Sequence, residues 1–278
     1  MLCLIFCFLV TFVFLVCILY HMLTFPGYYM KNDKEYNDKN LYILDYDKKQ
    51  SLALYICGGS INQDSKVLVF CHGNGQCLGD EEYREYLLDL HLFLESKYII
   101  LSFDYPGYHK LSTGVPSETS CNRSLQIVYN WLVATSKVSA KNIHLVGFSL
   151  GSGPVVDIFT TIPLANPIIL LAPFISVIDV KIDTVRHQYL DFLNMFKNID
   201  KLNRYSKDNA DESSLKTVII HGFDDNIVPI QHSDKLYYVC SKFSQYHKIS
   251  NCGHNDMLYN EEVIDLIKQC INTANAHQ

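Results

Sequence analysis

The sequence has no basic surplus: 23 Lys and Arg stand against 29 Asp and Glu, for a formal net charge of -6. Nor are its Lys and Arg clustered with interleaved aromatics, so it lacks the positive stripe that a phosphate backbone needs, and nucleic acid is not an expected partner. Charge is missing altogether at the start. MLCLIFCFLVTFVFLVCILYHMLTFPGYYM contains no Asp, Glu, Lys or Arg, and the first charged side chain is Lys31. The ten cysteines follow no framework spacing, and with Cys3, Cys7 and Cys17 inside that apolar start an odd number remains outside it. Reduced thiols are therefore expected. Cys71-His72 and Cys77 have no second Cys/His pair at finger spacing, which leaves no expected metal site. Internal repeats and low-complexity segments are also absent. What remains is a 278-residue chain, 49% hydrophobic and 19% charged, with ample apolar content for one large core and too much for a disordered chain.

The uncharged start is long enough to matter. At about 1.5 Å per residue, Leu2 to Leu23 covers roughly 30 Å of hydrocarbon. Phe25, Tyr28 and Tyr29 then fall at the interface, and Pro26-Gly27 ends the helix. A cleaved secretory signal would show a basic start, a shorter apolar run and small residues at the cut, and this segment has none of them. Residues 1–25 are therefore expected to be a transmembrane anchor, 26–40 a linker and 41–275 a single α/β domain. Lys31, Lys34, Lys39, Lys48 and Lys49 follow the anchor, which places that domain on the cytosolic side by the bias of positive charge.

Within the domain, LYILDY (41–46) and LALYIC (52–57) read as an antiparallel pair. Then come KVLVF (66–70), YIILSF (98–103), NIHLVGF (142–148), PIILLA (167–172), KTVIIHG (216–222) and YHKIS (246–250). Helix-length segments lie near 80–96, 117–137, 150–162, 230–243 and 255–273. Continuous apolar strands alternating with helices predict a mainly parallel sheet with helices on both faces. The long interval 173–215 is expected to be a small cap, amphipathic and helical first, then a polar loop over 206–214.

The chemistry gathers where strands end. In NIHLVGFSLGSGP (142–154), Gly147-Phe148-Ser149-Leu150-Gly151 sits between a strand and a helix, as a nucleophile elbow G-x-S-x-G does. The small flanking residues allow a tight turn that exposes the serine. A phosphate-binding turn would instead show G-x-G-x-x-G or a Lys-Ser/Thr ending, and neither is present. A serine hydroxyl needs a base, and His254, in Asn251-Cys252-Gly253-His254-Asn255-Asp256 after the last strand, is the best placed of the eleven histidines. His221-Gly222-Phe223-Asp224-Asp225-Asn226-Ile227-Val228-Pro229 offers two adjacent carboxylates after the preceding strand. Asp225 is the candidate to orient His254, with Asp224 left to solvent or local backbone. The oxyanion donors are expected to be the backbone N–H groups of Leu150 and of Asn74, in His72-Gly73-Asn74-Gly75, with Gly75 as the fallback. His72 is expected to brace this loop and Cys71 to be a buried small apolar residue. This chemistry needs no cofactor and no metal.

FCHGNG, SFDYPGYHKLSTGVPSE (102–118), LVGFSLGSGP, IIHGFDDNIVP and CGHND, in this order, resemble the α/β-hydrolase superfamily over roughly 40–275. Within it they are similar to the membrane-associated serine hydrolases that include protein depalmitoylases, a group often labelled serine aminopeptidase-like. His72-Gly73-Asn74-Gly75 stands where that group has H-G-N-A, and an apolar helix stands where its depalmitoylases carry lipidated cysteines. The resemblance implies an α/β-hydrolase fold with a small cap, and cleavage of acyl esters or thioesters through an acyl-serine. Its expected partners are an acylated protein or a lipid ester, met at the membrane through the N-terminal helix. A peptidase or lipase on the same three residues, or a catalytically silent membrane scaffold, are the alternatives.

Overall fold

The computed structural model describes residues 2–29, 38–181 and 194–276. It opens with helix α1 (Leu2–Thr24), followed after Phe25 by the single turn α2 (Pro26–Tyr29). Then come β1 (Leu41–Asp47), β2 (Gln50–Cys57), β3 (Val67–Cys71), α3 (Glu81–Phe93), β4 (Ile99–Phe103) and α4 (Glu118–Asn130). The central part of the chain is β5 (Ile143–Phe148), α5 (Ser152–Thr161), β6 (Ile168–Leu171), α6 (Val177–Lys181) and α7 (Asn198–Asp208). β7 (Thr217–Gly222), α8 (Gln231–Cys240), β8 (Ser244–Ile249) and α9 (Glu261–Ala276) complete it.

The strands form one eight-stranded sheet in the order β1-β2-β4-β3-β5-β6-β7-β8. The β1–β2 and β2–β4 pairs are antiparallel and the other five are parallel. In β3, Val69 lies between Leu101 of β4 and Leu145 of β5, at the centre of the sheet.

Alternation along each strand explains the continuous apolar runs. Val67, Val69 and Cys71 face one core, shared with Leu125 and Val128 of α4, Val155 and Phe159 of α5 and Leu236 of α8. Leu68 and Phe70 face the other, with Leu87 and Leu90 of α3 and Ile267 and Ile271 of α9. A strand covered on both faces has no solvent side on which to place polar residues.

Three elements differ from the sequence expectation. The 255–273 helix is divided: a 3₁₀ turn over Asn255–Leu258 precedes α9, whose start is capped by the Asn260 side chain, Oδ1 accepting from the N–H groups of Glu262 and Val263. In the interval 173–215, α7 runs on to Asp208, into the stretch expected to be a polar loop, and residues 182–193 lie outside the described residues. α7 is pinned by Lys201, whose Nζ donates to Glu118 Oε1 at 2.8 Å and Asp157 Oδ1 at 2.7 Å. Finally, residues 26–29, expected to begin the linker, are packed as α2 against the domain, while 30–37 are outside the described residues.

α1 is 23 residues long and carries no acidic residue in its first turn and only His21 in its last. Phe12, Val13, Phe14, Leu15, Leu19 and Leu23 are exposed on it. Among the described residues no helix is long and apolar enough to cross a membrane.

Candidate active site

β5 ends at Phe148, and the chain turns at once through Ser149–Gly151 into α5. Ser149 has φ +51°, a left-handed conformation that costs a non-glycine residue about 1–3 kcal/mol and persists only where its surroundings enforce it. The glycines make that possible by close approach. A Cβ on Gly147 would lie 2.5 Å from the Gly151 carbonyl oxygen, and one on Gly151 would lie 2.0 Å from that of Cys71. The turn therefore packs backbone on backbone and holds Ser149 at the carboxyl edge of the sheet.

His254 and Asp225 reach the same edge from the ends of β8 and β7. The Ser149 hydroxyl donates to His254 Nε2 at 3.1 Å, and His254 Nδ1 donates to Asp225 Oδ2 at 2.6 Å. The three are 9%, 8% and 5% exposed, so the line is nearly dry yet reachable. The Phe148 ring packs on the imidazole with centroids 5.0 Å apart. Asp224 points into solvent, and its N–H donates to the Cys252 carbonyl, tying the β7 and β8 loops together.

Asp225 is held from four directions. Its Oδ1 accepts from the N–H groups of Ile227 at 2.9 Å and Val228 at 2.8 Å. Its Oδ2 is shared between His254 and His221, whose Nε2 lies 3.2 Å away. Burial pushes the Asp225 carboxyl up, but hydrogen bonds from His221 and His254 outweigh it and hold it well below the usual carboxylate range. An ionised carboxylate fixes the proton of His254 on Nδ1 and leaves Nε2 free to accept from the serine.

His221 was not foreseen as part of this cluster. Its Nε2 also lies 2.8 Å from the Val228 carbonyl, which can only accept, so the ring proton sits on Nε2 and Nδ1 accepts from the Ser233 hydroxyl at 2.6 Å. The signal available in the sequence was its place in IIHGFDD, four residues before Asp225.

Asn74 and Leu150, the expected oxyanion donors, line with Ser149 one hollow of about 80 Å³ walled by Thr24, Phe174, Val177, Val180, Ile227 and Val228. On its other side Ser149 opens into a cleft of about 750 Å³ bordered by Gly75, Glu81, Arg84, Leu258 and Tyr259. His72 is fully buried, with Nδ1 donating to the Gly73 carbonyl at 2.7 Å and Nε2 3.5 Å from Asp104 Oδ1. Tyr105 Oη donates to the His72 carbonyl at 2.9 Å, and Gly73 N–H to Gln76 Oε1 at 2.8 Å, so this loop is braced throughout. Cys71 is buried beside it. Among the described residues no group of three His, Cys, Asp or Glu is arranged to hold a metal ion.

Such a line can transfer the serine proton to the imidazole while the carboxylate steadies the resulting cation. Comparison with known proteins agrees with the architecture around it. No protein-family model matches the chain. Among solved structures, an esterase of Pyrococcus furiosus superposes with a TM-score of 0.63 at 16% identity, covering 87% of this chain and 97% of that one. Alpha/beta hydrolase domain-containing protein 10 from mouse gives 0.56 at 15%, covering 85% and 98%. At these identities the likeness concerns the fold alone.

Among curated sequences, alpha/beta hydrolase domain-containing protein 17C of Homo sapiens is 28% identical over 207 residues, which are 74% of this chain but only 57% of the human protein. A protein of Acanthamoeba polyphaga mimivirus named as an alpha/beta hydrolase is 31% identical over 194 residues, 69% of this chain and 68% of the viral one. With that identity over two thirds of both chains, and with the sheet and elbow described above, the chain belongs to the α/β-hydrolase family.

Proposed function

We propose that this chain is a serine hydrolase that cleaves acyl esters or thioesters at a membrane, with protein depalmitoylation as the reaction its sequence resemblance favours. The observation that supports it most is the hydrogen-bonded line from Ser149 through His254 to Asp225, with the serine held in a left-handed elbow.

In this scheme Ser149 Oγ attacks the substrate carbonyl carbon as its proton passes to His254 Nε2. Asp225 stabilises the imidazolium, and the N–H groups of Leu150 and Asn74 hold the oxyanion. Collapse of the tetrahedral intermediate breaks the ester or thioester bond, and the departing oxygen or sulfur takes the proton from His254. Water then attacks the acyl-serine, giving its proton to the same nitrogen. The second collapse frees the acid and returns the proton to Ser149.

Anchoring by α1 is part of the proposal. The segment before Lys31 carries no Asp, Glu, Lys or Arg, and Phe12, Phe14, Leu15 and Leu19 of α1 are exposed apolar side chains, which supports this reading. The lysines that follow it favour a cytosolic hydrolase domain. An acyl substituent would then be met where the lipid surface presents it.

A fluorophosphonate probe tests the chemistry. The full chain in vesicles is expected to be labelled and its Ser149→Ala variant not, and absence of labelling on folded wild type overturns the proposal. A panel of acyl-thioesters, lipid esters and aminoacyl amides separates the substrate classes: turnover confined to the amides would make it a peptidase. Resistance to alkaline carbonate extraction, with the carboxyl-terminal domain open to protease from the cytosolic side, checks the anchor and its orientation.

A further inference from the structure

The residues leading out of α1 are built into the hydrolase domain. Phe25 is fully buried, its ring edge-on to Phe196 with centroids 6.4 Å apart. One turn earlier, His21 Nε2 lies 2.9 Å from the Pro116 carbonyl. Gly27 is pressed onto the active-site loop: a Cβ there would lie 2.6 Å from the Asn74 carbonyl oxygen and 2.4 Å from Cε1 of Tyr108.

At this junction the side chain of Asn74 is clamped at both ends. Its Nδ2 donates to the Thr24 carbonyl at 2.5 Å, and its Oδ1 accepts from Tyr108 Oη at 2.6 Å. Chemistry fixes the orientation, because a backbone carbonyl only accepts and so the amide nitrogen must face it. Thr24 is the last residue of α1, so its carbonyl is among the acceptors that a helix end leaves without an intrahelical donor. Burial raises the Tyr108 phenol well above its usual value and keeps it a donor.

We infer that Asn74 and Tyr108 are positioning residues for the oxyanion site, and that the carboxyl end of α1 is the post against which the oxyanion loop is set. This rests on the hydrolase proposal above, with the Asn74 N–H as one oxyanion donor. The loop needs such a post because Gly73 and Gly75 flank Asn74, so neighbouring residues restrict its backbone little. The Gly73 carbonyl, in the same peptide plane as the Asn74 N–H, accepts from His72 Nδ1 and the Gln76 N–H, and the Asn74 side chain adds its own hold through the Thr24 carbonyl and Tyr108. Oxyanion donors act through their preset aim, and small errors of aim are costly. Thr24 also lines the hollow beside Ser149. The carboxyl end of the helix and the oxyanion loop are therefore joined through this contact.

The test uses the full chain in nanodiscs with a chromogenic acyl ester, comparing wild type with Tyr108→Phe and Gly27→Ala. Both variants leave Ser149, His254 and Asp225 in place. In each, kcat is expected to fall about 10-fold with KM within about twofold, a fraction of the loss from deleting an oxyanion donor outright. Affinity for a trifluoromethyl ketone, which forms an oxyanion on Ser149, should weaken by the same factor, and affinity for the product acid should not. Unchanged kcat and ketone affinity in both variants, or a lowered melting temperature alone, overturns the positioning role. A folded wild type with no turnover at all sinks the hydrolase proposal as well, so the two failures are told apart.

Discussion

His221 Nε2 and His254 Nδ1 converge on the same oxygen of Asp225, at 3.2 and 2.6 Å. Two imidazoles on one carboxylate oxygen have different work: His254 faces the serine, whereas His221 is sealed behind the acid and tied to Val228 and Ser233. Its donation helps keep Asp225 ionised and fixes the side from which His254 is met.

His221→Leu is therefore expected to lower kcat about 10-fold with KM little changed, by leaving Asp225 less well held. His221→Gln, which keeps a donor near the Nε2 position, should recover most of it. Asp225→Asn should cost on the order of 10⁴ in kcat, because the imidazole loses both its tautomer and its counter-charge. Steady-state kinetics on all three variants decide the matter, and a Leu variant as active as the Gln variant would remove His221 from the catalytic arrangement.

The elbow makes a prediction about stability. Gly151→Ala places a methyl group 2.0 Å from the Cys71 carbonyl oxygen, backbone that no side-chain rotation can relieve. A loss of about 3 kcal/mol or more is expected, at the upper end of overpacking costs. Denaturant unfolding of the variant should show it, and a change below about 1 kcal/mol would mean that the turn yields more easily than its packing implies.

Much of this arrangement was legible in the sequence. Val67–Cys71 and Ile143–Phe148 read as buried strands because each alternates between two apolar cores, leaving no polar side. Ser149, Asp225 and His254 stood out because each follows a strand at the edge where such sheets open. The clamp on Asn74 was not legible, since it depends on Thr24, fifty residues earlier in a segment that composition marks as an anchor and linker. The break before α9 had a local signal in Asn260-Glu261-Glu262, which the apolar pattern obscured. The placement of α7 had none, because it depends on Lys201 meeting Glu118 and Asp157 from α4 and α5.

Cysteine reactivity follows from burial. Desolvation pushes the Cys57 thiol up to about 12 and those of Cys240 and Cys252 to about 11, while Cys71 and Cys121 are raised further. All five are free thiols with no solvent-facing surface, so the reactive thiolate is scarce at neutral pH. A charged maleimide at pH 7.5 is expected to leave them unmodified in the native chain and to modify all five in SDS without reductant. Mass spectrometry of the peptides reads the result, and a native-state adduct on Cys71 would contradict its packing against the elbow.

Acid should weaken the fold before it reaches the carboxylates. Burial pushes His144 and His232 down to about 4, against about 6.5 in an unfolded chain. His144 is sealed in the sheet with no partner on Nε2, so a proton there would be a buried, unpaired charge. Above about pH 6.5 both states are neutral at these rings and stability is full. Between there and pH 4 only the unfolded chain takes the protons, so stability falls by up to roughly 1.4 kcal/mol per pH unit for each histidine. Below pH 4 the loss levels off for the histidines. Asp225, with its depressed value, keeps its full contribution down to the ordinary carboxylate range and loses it only below. Urea midpoints of the detergent-solubilised chain from pH 7 to pH 5 should decline accordingly. His144→Phe keeps a ring against Tyr98 but has no site to protonate, so its decline should be shallower. An unchanged slope in that variant would show that another group accounts for the acid sensitivity.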